Sequence, residues 1–300
     1  MSQKLYCRGR FVPRLSMQLK YPLAALLLLV RFAFPQNQSE KNVSADELVR
    51  GVITNELQMQ DQDHSRWIYE EETVKSGVKE TKEVAGTKGG AVALLIARNG
   101  RPLSEDELKK QEEQMNAFIH DRQEQEKRRR AAEEDAAKTK RLLSMLPDAF
   151  HFSYAEGSGD GDTVRLNFKP NPAYHPPSRE AQVFHEMEGT LTVNRKEKRL
   201  VEINGKLMHE VKFFGGLLGH LDQGGTFDVR QVRVGPNHWE IQRLNVDMKG
   251  KALFFKTISV QQDETHGHFQ QLPDDISLGQ AADLLVKDAA HRRSSRGAAS

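Results

Sequence analysis

From position 150 to position 260 the apolar residues of this chain recur at every second place, and that period constrains the fold more than any other feature. Phe150, Phe152 and Tyr154 alternate, a turn follows over 157–162, and Val164, Leu166 and Phe168 alternate back. Successive side chains of a strand point to opposite faces, so two such runs joined by a glycine-rich turn predict a hairpin. Residues 169–178, with Pro170, Pro172, Pro176 and Pro177, are expected to form an extended crossing loop, because proline removes ladder donors. Met187, Leu191 and Val193 resume the alternation, Asn204-Gly205 predicts another turn, and strands are expected over 206–214, 226–234, 239–248 and 252–260. Evenly spaced short strands describe an antiparallel meander. The apolar phase slips by one between Val229 and Val232 and again between Ile241 and Leu244. A slip turns the buried face over, so bulges or a strongly coiled sheet are expected there.

The first half mixes periods. Ser44 with Glu47 forms a capping-box pattern ahead of Leu48, Val52, Ile53 and Leu57, whose spacing predicts an amphipathic helix. Trp67 and Tyr69 open an alternating stretch, and strands are expected over 78–85 and 91–98 around a glycine-rich turn at 86–90. Ser104 and Glu107 repeat the capping box, with Leu103 and Leu108 at the positions of a hydrophobic staple. The helix they open meets no breaker until Pro147. Unbroken, it would be roughly 60 Å long, against roughly 45 to 50 Å for the width of a domain of this size. It must bend, break or project.

Over 120–141 its only apolar side chains are alanines, and pairs such as Glu124 with Arg128, Glu126 with Arg130 and Glu134 with Lys138 support it from outside. The apolar heptads lapse after Ile119, which argues against a sustained coiled coil. Ser277 with Gln280 predicts a short C-terminal helix carrying Leu278, Ala281, Leu284 and Leu285, and a disordered tail is expected over 291–300. The expected fold is therefore α+β: a curved antiparallel meander, open as a half-barrel, with N-terminal and C-terminal helices and one long charged helix inserted over 104–146. It forms a single β-rich domain over 44–290.

Lys4, Arg8, Arg10, Arg14 and Lys20 precede the apolar run 21–30, the order of a signal peptide, here expected over 1–36 and followed by a polar linker over 37–43. Ten apolar residues are half of the roughly 20 that span a bilayer as a helix. Arg31 follows directly and only Ala33 is small near the cleavage region; both Met1 and Met17 fit as starts. The expected location is periplasmic or otherwise extracytoplasmic, with retention at the inner membrane by an uncleaved segment as the alternative. Cys7, the only cysteine, lies ahead of the apolar run, so the processed chain would have no thiol for disulfides, thiolate catalysis or Cys-based zinc sites. The 44 Lys and Arg against 42 Asp and Glu leave a formal charge of +2, which gives no general field for nucleic acid.

No catalytic, metal or cofactor motif emerges. His185-Glu186 begins like a zinc-protease helix, but Gly189 stands where the second His should be, in a segment that alternates like a strand. His266 and His268, beside Asp263 and Glu264, read as polar residues at a strand end. The run 157–162 departs from glycine-aspartate calcium repeats at Asp160 and occurs once, and Gly157-Ser158-Gly159 lacks nucleophile-elbow spacing. The segment 214–219 is too short for a phosphate loop, and Lys127 to Arg130 are flanked by acids as on a solvated helix face. Trp67, Tyr69, Phe213, Phe227, Trp239 and Phe254 either line an apolar groove in a curved sheet or fill its core.

The stretches Met187-Glu-Gly-Thr-Leu-Thr-Val193 and Arg199-Leu-Val-Glu-Ile-Asn-Gly205 are similar to exported bacterial proteins. So are Asn171-Pro-x-Tyr-x-Pro-Pro177, Leu95-Ile-Ala-Arg-Asn-Gly-Arg-Pro-Leu103 and Ala252-Leu-Phe-Phe-Lys256. In architecture the chain resembles the periplasmic lipoprotein-carrier superfamily, which includes lipoprotein-sorting chaperones and a regulator of envelope stress. The resemblance implies a curved, unclosed antiparallel barrel with helices covering its mouth and an apolar groove. The export signal, the meander and the aromatic-rich strands suggest a non-enzymatic envelope protein that binds a lipid, a lipidated protein or another apolar ligand in such a groove. No functional residue carries over, and the long charged helix departs from the carriers. That helix suggests a second class of function, a structural or regulatory protein meeting an envelope partner. An enzyme without a recognisable motif is the third.

Overall fold

The computed structural model describes residues 43–75, 77–158, 161–213, 219–252 and 256–297. The expected leader, Cys7, Gly159, Asp160, Gly215, Gly216 and Phe254 lie outside them. Helix α1 (Ala45–Gln62) starts at Ser44, whose side chain accepts a hydrogen bond from Glu47 N–H, and it buries Val49, Val52, Ile53 and Glu56 on one stripe. Strands β1 (Arg66–Lys75), β2 (Val78–Thr87), β3 (Gly90–Arg98) and β4 (Arg101–Pro102) follow as hairpins.

The charged insertion is two helices, not one. Helix α2 (Glu105–His120) opens on a complete Ser104–Glu107 capping box. It stops at Asp121, which also caps α3 (Arg122–Ala149) by accepting from the N–H groups of Gln123 and Glu124, both at 3.0 Å. An extended aspartate whose carboxylate caps the following helix thus interrupts the insertion at a single residue. Pro147 does not end α3. Its missing N–H forfeits only one bond near the terminus, its side is buried, and the helix runs on to Ala149.

Strands β5 (Phe150–Tyr154) and β6 (Thr163–Pro170) form the expected hairpin, and a 3₁₀ helix (Glu180–Glu186) ends the proline-rich crossing. His185 and Glu186 thus lie on this helix rather than on a strand. The sheet continues with β7 (Met187–Asn194), β8 (Arg199–Leu207), β9 (Val211–Phe213), β10 (Gly219–Leu221), β11 (Thr226–Gly235), β12 (His238–Ala252) and β13 (Lys256–Leu272). Asn204-Gly205 is not a turn but the middle of β8, facing Thr190 and Gly189 on one side and Asp228 and Phe227 on the other. Glycine is required there for close approach: a Cβ on Gly189 would lie 2.0 Å from the Asn204 carbonyl oxygen. The expected strand over 206–214 is split between the end of β8 and β9. Helix α4 (Leu278–Gly297), capped by Ser277 with Gln280, continues past His291, where a disordered tail was expected, and its Arg292 pairs with Glu70 and Glu83.

All ladders are antiparallel, in the order β4-β3-β2-β1-β13-β12-β11-β8-β7-β6-β5, and the sheet is not closed. The β11–β12 register shifts between Arg230 and Gln231, opposite Arg243 and Ile241, so Gln242 is the extra residue of a bulge where the apolar phase slips.

Pairing joins Leu166, Leu191, Ile203, Val229, Leu244, Glu264 and Thr73 in one cross-strand row, all on one face of the sheet. Helix α1 and the end of α3 cover the first part of that face. There Val49, Val52 and Ile53 meet Leu166, Leu191 and a cluster in which Phe150 packs edge-on to Phe168 at 4.8 Å. Alternation along β1 places Ile68 on the other face, where α2 and α4 bury Ala85, Val92, Leu94, Leu108, Met115 and Leu285. Two cores thus lie on opposite faces of one sheet.

Candidate functional site

The middle of the sheet differs from both ends. None of the described helices packs extensively on β11, β12 or β13. On the face shared with α1, Phe227 stands opposite Val246 and Val229 opposite Leu244, with Met248 next along β12, and all five are half-buried. Phe227 and Met248 touch the first core, so the strip extends it onto uncovered strands. Beside it, β13 presents Gln262 opposite Val246 and Glu264 opposite Leu244. The result is an apolar floor with a polar margin.

Charged and aromatic groups gather where this face meets the C-terminal end of α1. Glu56 and Arg199 form an ion pair at 2.9 Å with side chains only 4% and 9% exposed, and Glu56 also accepts from Leu200 N–H at 2.7 Å. Burial pushes the Glu56 carboxyl above the ordinary range despite both partners. The Arg199 guanidinium lies 5.9 Å from the ring centroid of Trp239, whose indole N–H donates to Glu197 at 3.0 Å. His238 Nδ1 lies 3.3 Å from Asp63 and the ring packs edge-on to Trp67, 5.9 Å between centroids. Burial opposes ionisation of Asp63, but bonds from Ser65 and the contact with His238 win and hold its carboxyl below the usual range. Half-buried Glu240 is pushed up to about 7, chiefly by burial and then by the charge of Asp63. Tyr69 stacks on Phe269 at 5.5 Å and leans on His266 at 5.0 Å; burial and the carboxylates of Glu71, Glu240 and Glu264 raise its hydroxyl to about 12, so it stays a neutral donor.

The five of the six singled-out aromatic residues that lie among the described residues do not form one constellation. Phe213 and Phe227 pack on the first core, whereas Trp67, Tyr69 and Trp239 each meet polar or charged partners. Sequence reasoning missed Glu56 and Glu240. Glu56 was within reach, since it falls three residues after Ile53 and four after Val52 on the buried stripe; Glu240 had no such signal. His266 is half-buried against Tyr69, and exposed His268 takes a positive φ of 57° at an irregularity of the β1–β13 ladder. Lys127, Arg128, Arg129 and Arg130 each pair with Glu124 or Glu126 on their own helix.

A separate hollow of about 1000 Å³ lies between the end of α1 and the second half of α3, with Leu57, Leu142 and Met145 among its lining and Lys138, Lys140 and Arg141 at its rim. Among the described residues no group of three or more His, Cys, Asp or Glu is placed to hold a metal ion, and no helix is long and apolar enough to cross a membrane. Compared with known proteins, the chain matches no family model, no curated protein and no solved structure.

Proposed function

We propose that this is a non-enzymatic protein of the bacterial cell envelope, exported by its N-terminal basic and apolar segment, that holds the acyl chain of a lipid or lipidated protein against strands β11 and β12. The observation that carries this reading is the half-buried strip Phe227, Val229, Leu244, Val246 and Met248, continuous with a core yet without extensive helix cover. Its length along β12, from Leu244 to Met248, is about 13 Å at strand rise, enough for roughly ten methylenes. In this reading the sheet curls as a half-barrel around the strip, and Gln262, Glu264 and the Arg199–Trp239 corner stay with the polar end of the ligand. Each buried methylene contributes about 0.8 kcal/mol, so affinity comes from the chain rather than the head.

The test is a fluorescence titration with a dansyl-labelled undecanoic acid. The wild-type protein is expected to bind saturably. Val246→Asp is expected to weaken binding at least about tenfold, since a carboxylate on the floor must be desolvated, while leaving the far-UV spectrum unchanged. Absence of saturable binding by the wild type, or equal binding by Val246→Asp, contradicts the proposal.

A second reading rests on α3, where nearly every side chain from 121 to 141 is exposed or half-exposed. Such a surface fits capture of an envelope partner, and removal of residues 122–140 would then abolish capture with little change in thermal unfolding. Unchanged capture rules it out.

A further inference from the structure

The two margins of the sheet are finished differently. At β5 the outward amide of Phe152 donates to Asp46 of α1 at 2.8 Å, so a helix closes that edge. At the opposite margin β4 reaches only the end of β3: Leu103 N–H donates to the Ile96 carbonyl at 3.0 Å, and pairing covers Ala97 and Arg98. The pairing Thr87 with Gly90 closes a two-residue hairpin, which makes Ala85–Val92 and Glu83–Leu94 the mutually bonded pairs. The backbone groups of Ala91, Ala93 and Leu95 then turn away from β2. Ala91 and Ala93 are exposed, whereas Val92, Leu94 and Leu95 are 2%, 0% and 6% exposed, so the open part of the edge is centred on Ala91 and Ala93. From Gly90 to Ala97 this edge carries no charge and no proline, the devices that usually protect an edge strand.

We propose that β3 accepts an extended peptide segment of another protein as an added strand. The slot runs from the Lys88-Gly89 turn to the start of β4, about five residues or roughly 17 Å at strand rise. The methyl groups of Ala91 and Ala93 leave room on the open face for β-branched side chains. Exposed Lys88 at one end and exposed Arg101 at the other favour carboxylates flanking the segment. A second copy of this chain fits less well: antiparallel self-pairing centred on Ala93 brings exposed Lys88 of each copy against exposed Arg98 of the other, like charges at both ends of the slot. Backbone bonds supply the affinity in such strand addition, and alternate side chains the selectivity.

The test uses the full chain and an end-blocked peptide alternating valine and threonine between two terminal aspartates, read by amide NMR shifts. Saturable shifts centred on Ala91 and Ala93 are expected below about 1 mM peptide. Ala93→Pro is expected to weaken them at least about tenfold while the β2–β3 ladder persists, because the lost N–H points outward. The same peptide methylated on every backbone nitrogen, which leaves neither edge a donor, is expected not to bind, a control that holds even if the proline variant misfolds. No shift at about 1 mM overturns the proposal, as does binding indifferent to peptide methylation. Concentration-dependent self-association that Ala93→Pro removes overturns it in favour of a second copy.

Discussion

Leu191 and Leu244 belong to the same cross-strand row, in strands that alternate equally well, yet Leu191 is 1% exposed and Leu244 is only half-buried. The difference is the helix above them. Over β5 to β8, α1 supplies Val49, Val52 and Ile53; over β11 and β12 nothing comparable is present among the described residues. Alternation identifies which side of a strand is apolar, but what covers that side is a tertiary matter. Stability should therefore be concentrated under α1, and the uncovered strip should be free for another task.

The sharpest way to break this comparison is to loosen α1. Glu56→Ala leaves Arg199 buried without its carboxylate, and urea unfolding is expected to show a loss of about 3–5 kcal/mol. A loss near that of a surface residue would mean α1 is not held by this pair. Next, Leu191→Ala should cost about 2–5 kcal/mol by leaving a cavity, whereas Leu244→Ala should cost under about 1 kcal/mol. Equal losses in the two variants would show that the strip is packed as tightly as the core.

A smaller effect follows from Glu240. Its carboxyl is raised from 4.5 to about 7 in the folded protein, so its contribution to stability is full below pH 4.5 and is lost as pH rises through 7. Glu240→Gln lacks this loss. Its advantage over the wild type in thermal unfolding should grow between pH 5 and pH 8 by on the order of 1–2 kcal/mol, allowing for partial exposure. A pH-independent difference would remove Glu240 from the account. The smallest effect concerns α3, where Arg130→Ala deletes an exposed pair with Glu126 and should leave the unfolding midpoint essentially unchanged. A clear drop in the midpoint would mean that this stretch packs on something.

Much of this architecture was legible in the chain because short-range chemistry and final environment agree. The Phe150 to Phe168 hairpin, the Ser104 cap and the slip at Gln242 each follow from spacing that the neighbours reinforce. Where they disagree, sequence reasoning failed. Asn204-Gly205 has turn chemistry, but Gly189 on the next strand leaves no space for a side chain and draws β7 and β8 together. The over-long helix does break, one of the outcomes its length required, but the place was not legible: Asp121 splits it because its carboxylate can cap a new helix, which helix propensity alone does not reveal. The candidate site was legible as apolar strands, not as a face, since its margin depends on which strands β13 and β1 bring alongside.

The most direct test of the central claim is paramagnetic broadening of methyl resonances by stearate carrying a nitroxide near its terminal methyl. The account expects the strongest broadening at Val229, Leu244 and Val246, weaker broadening of Leu191 two strands away, and Leu94 and Leu108 in the opposite core spared. Broadening centred on the hollow around Leu57, Leu142 and Met145, or no broadening at all, would contradict it.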